Sequence, residues 1–210
     1  VRLDGLVFVP DVVPGPGLVV CHGFDKRGFR GSDLFELMAK RACEAGFVCL
    51  VFDFRGCGRS GGSFGYGWGE QVDLEAAIDY LLGRGEVEGD SVFGGGHSVG
   101  GAVGLYVAER DRRVKAVALW AVPHDHWFNI RRFIRRGRGL LSWYLFLLVS
   151  YVDVVVDVSG VFGFRVWGFV LRPRDVRRRL MRLREGEVLS RLRDVAILIV
   201  NGDRDELVGL

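Results

Sequence analysis

Over the first 120 positions, short runs of consecutive apolar residues alternate with stretches of helical periodicity. Leu6 to Val9 reads as a strand, and Leu18 to Cys21 as a second one, apolar at every position and so expected at the centre of a sheet. Pro14 to Gly17 between them reads as a turn, and Gly23 to Gly31 as a Gly-rich loop. Asp33 is placed to cap the next helix, with Glu36 completing a capping box, and Gly46 stops that helix after about Ala45. Phe47 to Phe52 is the third strand. A long loop with many glycines, Phe54 to Gly69, leads to a second helix near Glu70 to Leu82. Ser91 to Phe93 reads as a short strand; Gly94 and Gly95 after it are weak strand material and mark a close backbone approach. A helix from about Val99 to Glu109, a strand from Val114 to Val122 and a buried strand at Ile197 to Val200 complete the pattern. Strand–helix alternation of this kind predicts an α/β fold with a doubly wound, mostly parallel sheet.

The alternation breaks between residues 124 and 193. Trp127, Ile130, Phe133 and Ile134 interleave with Arg pairs, as in an amphipathic helix with a basic opposite face. Leu140 to Val152 is almost wholly apolar, but its 13 residues fall short of the roughly 20 that span a bilayer, and Asp153 and Asp157 follow. A buried helix over an apolar pocket is the expectation, with a basic, aromatic face resting on an anionic lipid surface as the alternative. The segment carries 15 Arg against 6 acidic residues, while the rest of the chain is net acidic. The Arg172 to Arg184 cluster reads as the solvated face of a helix, with attraction for acidic substrates or lipid head groups as the other reading.

The chain has 210 residues, enough for one domain with a substantial core, and its net charge of +3 does not imply a nucleic-acid partner. Cys21, Cys43, Cys49 and Cys57 have neither CxxC nor His/Cys ligand spacing, so no metal site is expected. Four reduced thiols fit a cytoplasmic setting, with a Cys43–Cys49 disulfide as the alternative in a hyperthermophile. The 26 Arg against three Lys, and the three amide side chains in all, fit either a thermophilic source or a GC-rich genome.

The chemistry concentrates at Gly96-His97-Ser98-Val99-Gly100, placed after a strand and at the head of a helix. A serine held on so sharp a turn stands clear of the backbone, and only glycine fits on either side of it. Three more motifs follow strands in order: His22-Gly23-Phe24, Asp53-Phe-Arg55-Gly56-Cys-Gly58-Arg-Ser60, and Gly202-Asp-Arg-Asp205-Glu-Leu-Val208. Together they resemble the α/β-hydrolases, of the broad type that includes esterases and serine aminopeptidase-like enzymes. The resemblance covers Leu3 to Val208, with 124–193 matching only in position, as the helical lid insertion of a core formed by 1–123 and 194–210.

The resemblance implies a Ser98 nucleophile, backbone N–H groups of Phe24 and Val99 as oxyanion hole, and Asp205 as the triad acid. Asp203 competes for that last role, with family spacing favouring Asp205. His22, Gly23, Gly96 and Gly100 would support the motifs, His22 as the structural histidine of the oxyanion loop. His97 is expected to pack or to make a backbone hydrogen bond, and Asp53 and Arg55 to brace their loop. Ser98 as an ordinary helix N-cap is the bland alternative. The family's histidine follows the acid by some tens of residues, whereas five residues without histidine follow Asp205. A chain truncated before that histidine is the expectation. The alternatives are a base from His124, His126 or a partner chain, or a degenerate relative that keeps the pocket for binding. The expected activity is hydrolysis of carboxylic esters with hydrophobic acyl groups, with a serine peptidase as runner-up. Neither reading needs a cofactor. The partner is a small-molecule ester or peptide, with peripheral membrane contact only through the lid.

Overall fold

β3 (Val48–Phe52) is buried at all five positions, which makes it the interior of the sheet. It pairs in parallel with β2 (Gly15–Cys21) and antiparallel with β1 (Gly5–Phe8). The computed structural model describes residues 1–122, 164–166, 169–171 and 184–202. The sheet continues through β4 (Val87–His97) and β5 (Val114–Trp120) to β8 (Ala196–Val200), in the order β1-β3-β2-β4-β5-β8. Every pairing beyond β1 is parallel. A separate hairpin joins β6 (Phe164–Val166) to β7 (Phe169–Leu171). Among the described residues the α-helices are α1 (Asp33–Glu44), α2 (Gly69–Leu82), α3 (Val99–Arg110) and α4 (Glu185–Arg191).

Side chains alternate across a strand with period two, and the two sheet faces follow that rule. Val19, Leu50 and Phe52 join Leu74, Ile78 and Leu81 of α2 and Val103 and Val107 of α3 in one cluster. Val20, Cys49 and Val51 turn the other way, toward Phe29 and toward Phe35 and Ala39 of α1. Each large side chain buried this way contributes about 1.5–3 kcal/mol. The doubly wound, mostly parallel fold read from the alternation is therefore the observed one. Its consequence is positional: the carboxyl ends of β2, β3, β4, β5 and β8 share one edge, where open α/β sheets bind ligands.

Several local expectations change. β2 begins at Gly15, inside the predicted turn, because Gly15 N–H donates to the Glu86 carbonyl at 2.9 Å and joins the ladder early. The cap of α1 is Ser32, whose Oγ accepts from Leu34 N–H, so Asp33 is the first helical residue and Glu36 completes no box. β4 runs for 11 residues, through Gly94 and Gly95 to His97, since β2 and β5 pair with it on both sides and override a poor intrinsic preference. β8 was expected to be buried, yet Leu198, Ile199 and Val200 are more than half exposed. It bounds the described sheet and pairs only with β5.

α4 lies inside the 124–193 segment and packs on α3, with Val188 buried and Arg184 N–H donating to the Tyr106 hydroxyl. The helices expected at 127–136 and 140–152, and the Arg cluster up to residue 183, lie outside the described residues. Among the described residues, no helix is long and apolar enough to cross a membrane.

Candidate active site

Ser98 joins the end of β4 to the start of α3 with φ 52° and ψ −119°, a conformation that non-glycine residues rarely adopt. Its side chain makes no capping bond to the helix it precedes, so the N-cap alternative does not hold. The turn is fixed by backbone contacts instead. Ser98 N–H donates to the Trp120 carbonyl at 3.0 Å, and the Ser98 carbonyl accepts from Ala102 at 3.1 Å. A Cβ on Gly96 would lie 2.4 Å from the Gly101 nitrogen, and one on Gly100 would lie 2.3 Å from the His22 carbonyl oxygen. Both places are closed to any side chain. Val99 is the first residue of α3, where helix N–H groups lack intrahelical partners and the helix dipole is positive.

The loop after β2 meets this turn directly. Gly23 packs on the His97 ring so closely that a Cβ would fall 2.5 Å from Nδ1. His97, as expected, packs: its ring lies 6.2 Å from Phe35 and 6.4 Å from Trp120. His22 is buried and uses both ring nitrogens. Nδ1 donates to its neighbour's carbonyl, that of Gly23, at 2.7 Å, and Nε2 accepts from Phe54 N–H at 3.0 Å. Both bonds are made by the neutral ring, and burial pushes the His22 pKa below its ordinary value of 6.5. The Gly23 carbonyl accepts a second bond, from Asp25 N–H at 2.9 Å. In a planar trans peptide the carbonyl and the next N–H point in opposite directions. Clamping the Gly23 carbonyl twice therefore orients Phe24 N–H.

Asp53 ties the loops after β2 and β3 together. It is fully buried and accepts from Phe29 N–H at 2.9 Å, Arg59 N–H at 3.0 Å and the Arg30 guanidinium at 3.2 Å. A Cβ on Gly28 or Gly58 would overlap its carboxylate, so both glycines are required by the same group. Lys26 adds a bond from Nζ to the Gly56 carbonyl, and its own carbonyl accepts from Gly58 N–H. Arg55 forms a bidentate pair with the carboxylate of Asp73, at 2.7–3.0 Å. These two motif residues brace loops, as the sequence suggested.

Glu70, at the head of α2, escaped the sequence reading. It is buried, and its two oxygens accept from Gly65 N–H at 2.6 Å and Gly67 N–H at 2.8 Å. Burial pushes its pKa up, while these amides pull it down. The signal available was a glutamate following a Gly-x-Gly turn at the start of a helix. The four cysteines are free, so the Cys43–Cys49 disulfide is not formed. Burial pushes the Cys57 thiol up to about 12, which makes it a poor nucleophile.

The geometry thus brings Ser98, Val99, Phe24, His22, Gly23, Gly96 and Gly100 together at one sheet edge. Asp205, Asp203, His124 and His126 lie outside the described residues. Among the described residues, no group of His, Cys, Asp and Glu could hold a metal ion.

Three solved structures illustrate the likeness. DcsB, determined in complex with its substrate analogue, is 18% identical; the match covers 98% of this chain and 78% of that one at a TM-score of 0.75. Est1E from Butyrivibrio proteoclasticus, with ferulic acid bound, is 22% identical over 99% of this chain and 77% of that one, at a TM-score of 0.68. A structure from work on carboxylesterases of the ammonia-oxidizing thaumarchaeon Nitrososphaera gargenis is 16% identical over 98% and 78%, at a TM-score of 0.60. At such identities the likeness is one of fold. Residues 18–209 also match the model of a family described as the alpha/beta hydrolase family.

Proposed function

The chain belongs to the alpha/beta hydrolase family, and from that premise we propose that it is a serine hydrolase cleaving carboxylic esters through an acyl-enzyme on Ser98. The observation that carries this reading is the backbone of Ser98, held at φ 52° between glycines whose Cβ positions are occupied by other backbone atoms. Strain of this kind costs of order 1–3 kcal/mol and persists where the surroundings over-determine it.

Ser98 Oγ attacks the ester carbonyl carbon as its proton passes to an imidazole base. The oxyanion that forms is held by the N–H groups of Val99 and Phe24. The tetrahedral adduct collapses, the C–O bond breaks and the alcohol departs with the proton. Water then attacks the acyl carbon, giving up a proton to the same base, and the acid is released with Ser98 restored. Losing one oxyanion donor costs about 100- to 1,000-fold in rate. Asp205 is the proposed partner of the base. The resemblance implies a histidine behind the acid loop, and the alternative sources of the base are His124, His126 or a partner chain. Both His22 nitrogens are committed to Gly23 and Phe54, which reserves that ring for holding the loop.

Residues 1–123 and 194–210 are the proposed core and 124–193 the lid, returning to the core through α4. The apolar and aromatic character of the lid supports hydrophobic acyl groups.

The test is titration of the folded chain with a fluorophosphonate probe, with the labelled peptide identified by mass spectrometry. Stoichiometric labelling at Ser98, lost in Ser98→Ala, supports the reading. A folded, full-length wild-type protein that includes the histidine behind the acid loop and takes up no label overturns it.

A further inference from the structure

The loop between β3 and α2 holds a fixed aromatic group whose purpose the nucleophile and its glycines do not explain. Gly65 and Gly67 flank Tyr66, which is buried with φ 59°. Successive N–H groups converge around such a left-handed residue into a concavity that holds an anion. Here the chain supplies the anion itself, the buried carboxylate of Glu70.

What this arrangement fixes is Phe64. A Cβ on Gly56 would lie 2.5 Å from the Phe64 nitrogen, and one on Gly65 would lie 2.7 Å from the Gly69 nitrogen, so the backbone on both sides of Phe64 is closely packed. The Phe64 ring lies 5.2 Å from that of Tyr66 and meets the Phe24 ring edge-on at 5.0 Å. Edge-to-face contact is the favoured geometry of an aromatic pair and fixes orientation as well as distance. Phe24 is thereby gripped twice. The Gly23 carbonyl is clamped by His22 and Asp25 on the main-chain side, and Phe64 meets the side chain.

We propose that Phe64, seated by the Glu70-filled turn, is a positioning residue that holds the Phe24 N–H on the oxyanion. This rests on the reading of Ser98 as nucleophile and Phe24 as donor. Phe64 does not touch the reacting atoms; it acts through Phe24.

The experiment follows fluorophosphonate labelling of the full chain over a range of probe concentrations. It yields a maximal rate and a half-saturating concentration, with the urea unfolding midpoint measured alongside. Phe64→Ala is expected to lower the maximal rate about 10- to 100-fold, the scale of a small misplacement at a reacting centre, while the half-saturating concentration holds. Phe64→Tyr, which keeps the ring edge, is expected to restore the rate. Phe64→Leu fills the space without an aromatic edge; it serves where the alanine variant does not fold, and its rate is expected to fall as well. An unchanged maximal rate with a lowered unfolding midpoint would reduce Phe64 to packing and overturn the proposal. A raised half-saturating concentration at constant maximal rate would make Phe64 a pocket wall, which also overturns it. Full-length wild type that takes no label sinks the serine-hydrolase reading itself, whereas variants matching a labelled wild type sink only the role of Phe64.

Discussion

At the elbow, Ser98 is held by glycines pressed against backbone: Gly96 on Gly101, Gly100 on the carbonyls of His22 and Cys21. Across from it, the loops after β2 and β3 are held by buried polar side chains, with Asp53, Glu70 and His22 each satisfying two or more partners. One wall of the site is therefore set by shape and the other by hydrogen bonding. A shape constraint fails when a methyl group is added and does not depend on pH. A polar constraint survives small changes of volume, but it fails when one acceptor becomes a donor or one ring takes up a proton.

The sharpest way to break the first wall is Gly100→Ala. Its Cβ meets backbone that cannot move without parting α3 from β2, and a loss of about 3 kcal/mol or more is expected, the upper range for overpacking. Urea unfolding with far-UV detection measures it, and a loss under about 1 kcal/mol would mean that the elbow yields. Next comes Asp53→Asn in the second wall. One of the Phe29 and Arg59 amides then faces an NH2 group and Arg30 keeps only Asp4 of its two charge partners, costing about 2 kcal/mol by the same measurement. A stability equal to wild type would argue against Asp53 as the tie between the loops.

Acid gives a smaller effect that separates the walls. The His22 pKa is depressed in the fold below its ordinary 6.5, so between the two values the unfolded chain binds the extra proton and stability rises with pH. The contribution is complete above pH 6.5 and is lost as pH falls below it. The expected outcome is a fall in unfolding free energy between pH 7 and 5 that is shallower in His22→Asn; parallel slopes would remove His22 from the account. The smallest effect belongs to Ser98→Gly. Relief of strain worth about 1–3 kcal/mol offsets the roughly 0.4–1 kcal/mol of chain freedom that glycine adds to the unfolded state. Stability is expected to stay at or slightly above wild type while labelling disappears, and a clear loss of stability would mean that the turn carries no strain.

The same division decides what could be read from sequence. The elbow is legible because its steric demand acts between neighbours in the chain, so Gly96 and Gly100 announce Ser98 directly. The doubly wound, mostly parallel sheet follows from alternation, and the bracing roles of Asp53 and Arg55 from the motif around them. Glu70 is not legible in that way, since a glutamate at a helix start is normally solvent-facing and only the folded turn of Gly65 to Gly67 turns it inward. Ala196 to Val200 has the composition of a core strand, and at the boundary of the described sheet it is exposed. The Ser32 cap was missed because Asp33, one residue on, satisfies the same pattern.

Gly94 and Gly95 offer no side chains to the middle of β4, and the neighbouring strand fills the space. Val117 and Trp120 reach to 3.4 Å and 3.3 Å of where their Cβ atoms would be. In evolutionary terms these positions are epistatic. A Cβ at residue 95 requires the Trp120 ring to give by a few tenths of an ångström, and the carbonyl of Trp120 is the acceptor for Ser98 N–H. Substitutions along β5 are therefore filtered by the elbow as well as by the core, and the side chains at 95 and 120 share one space.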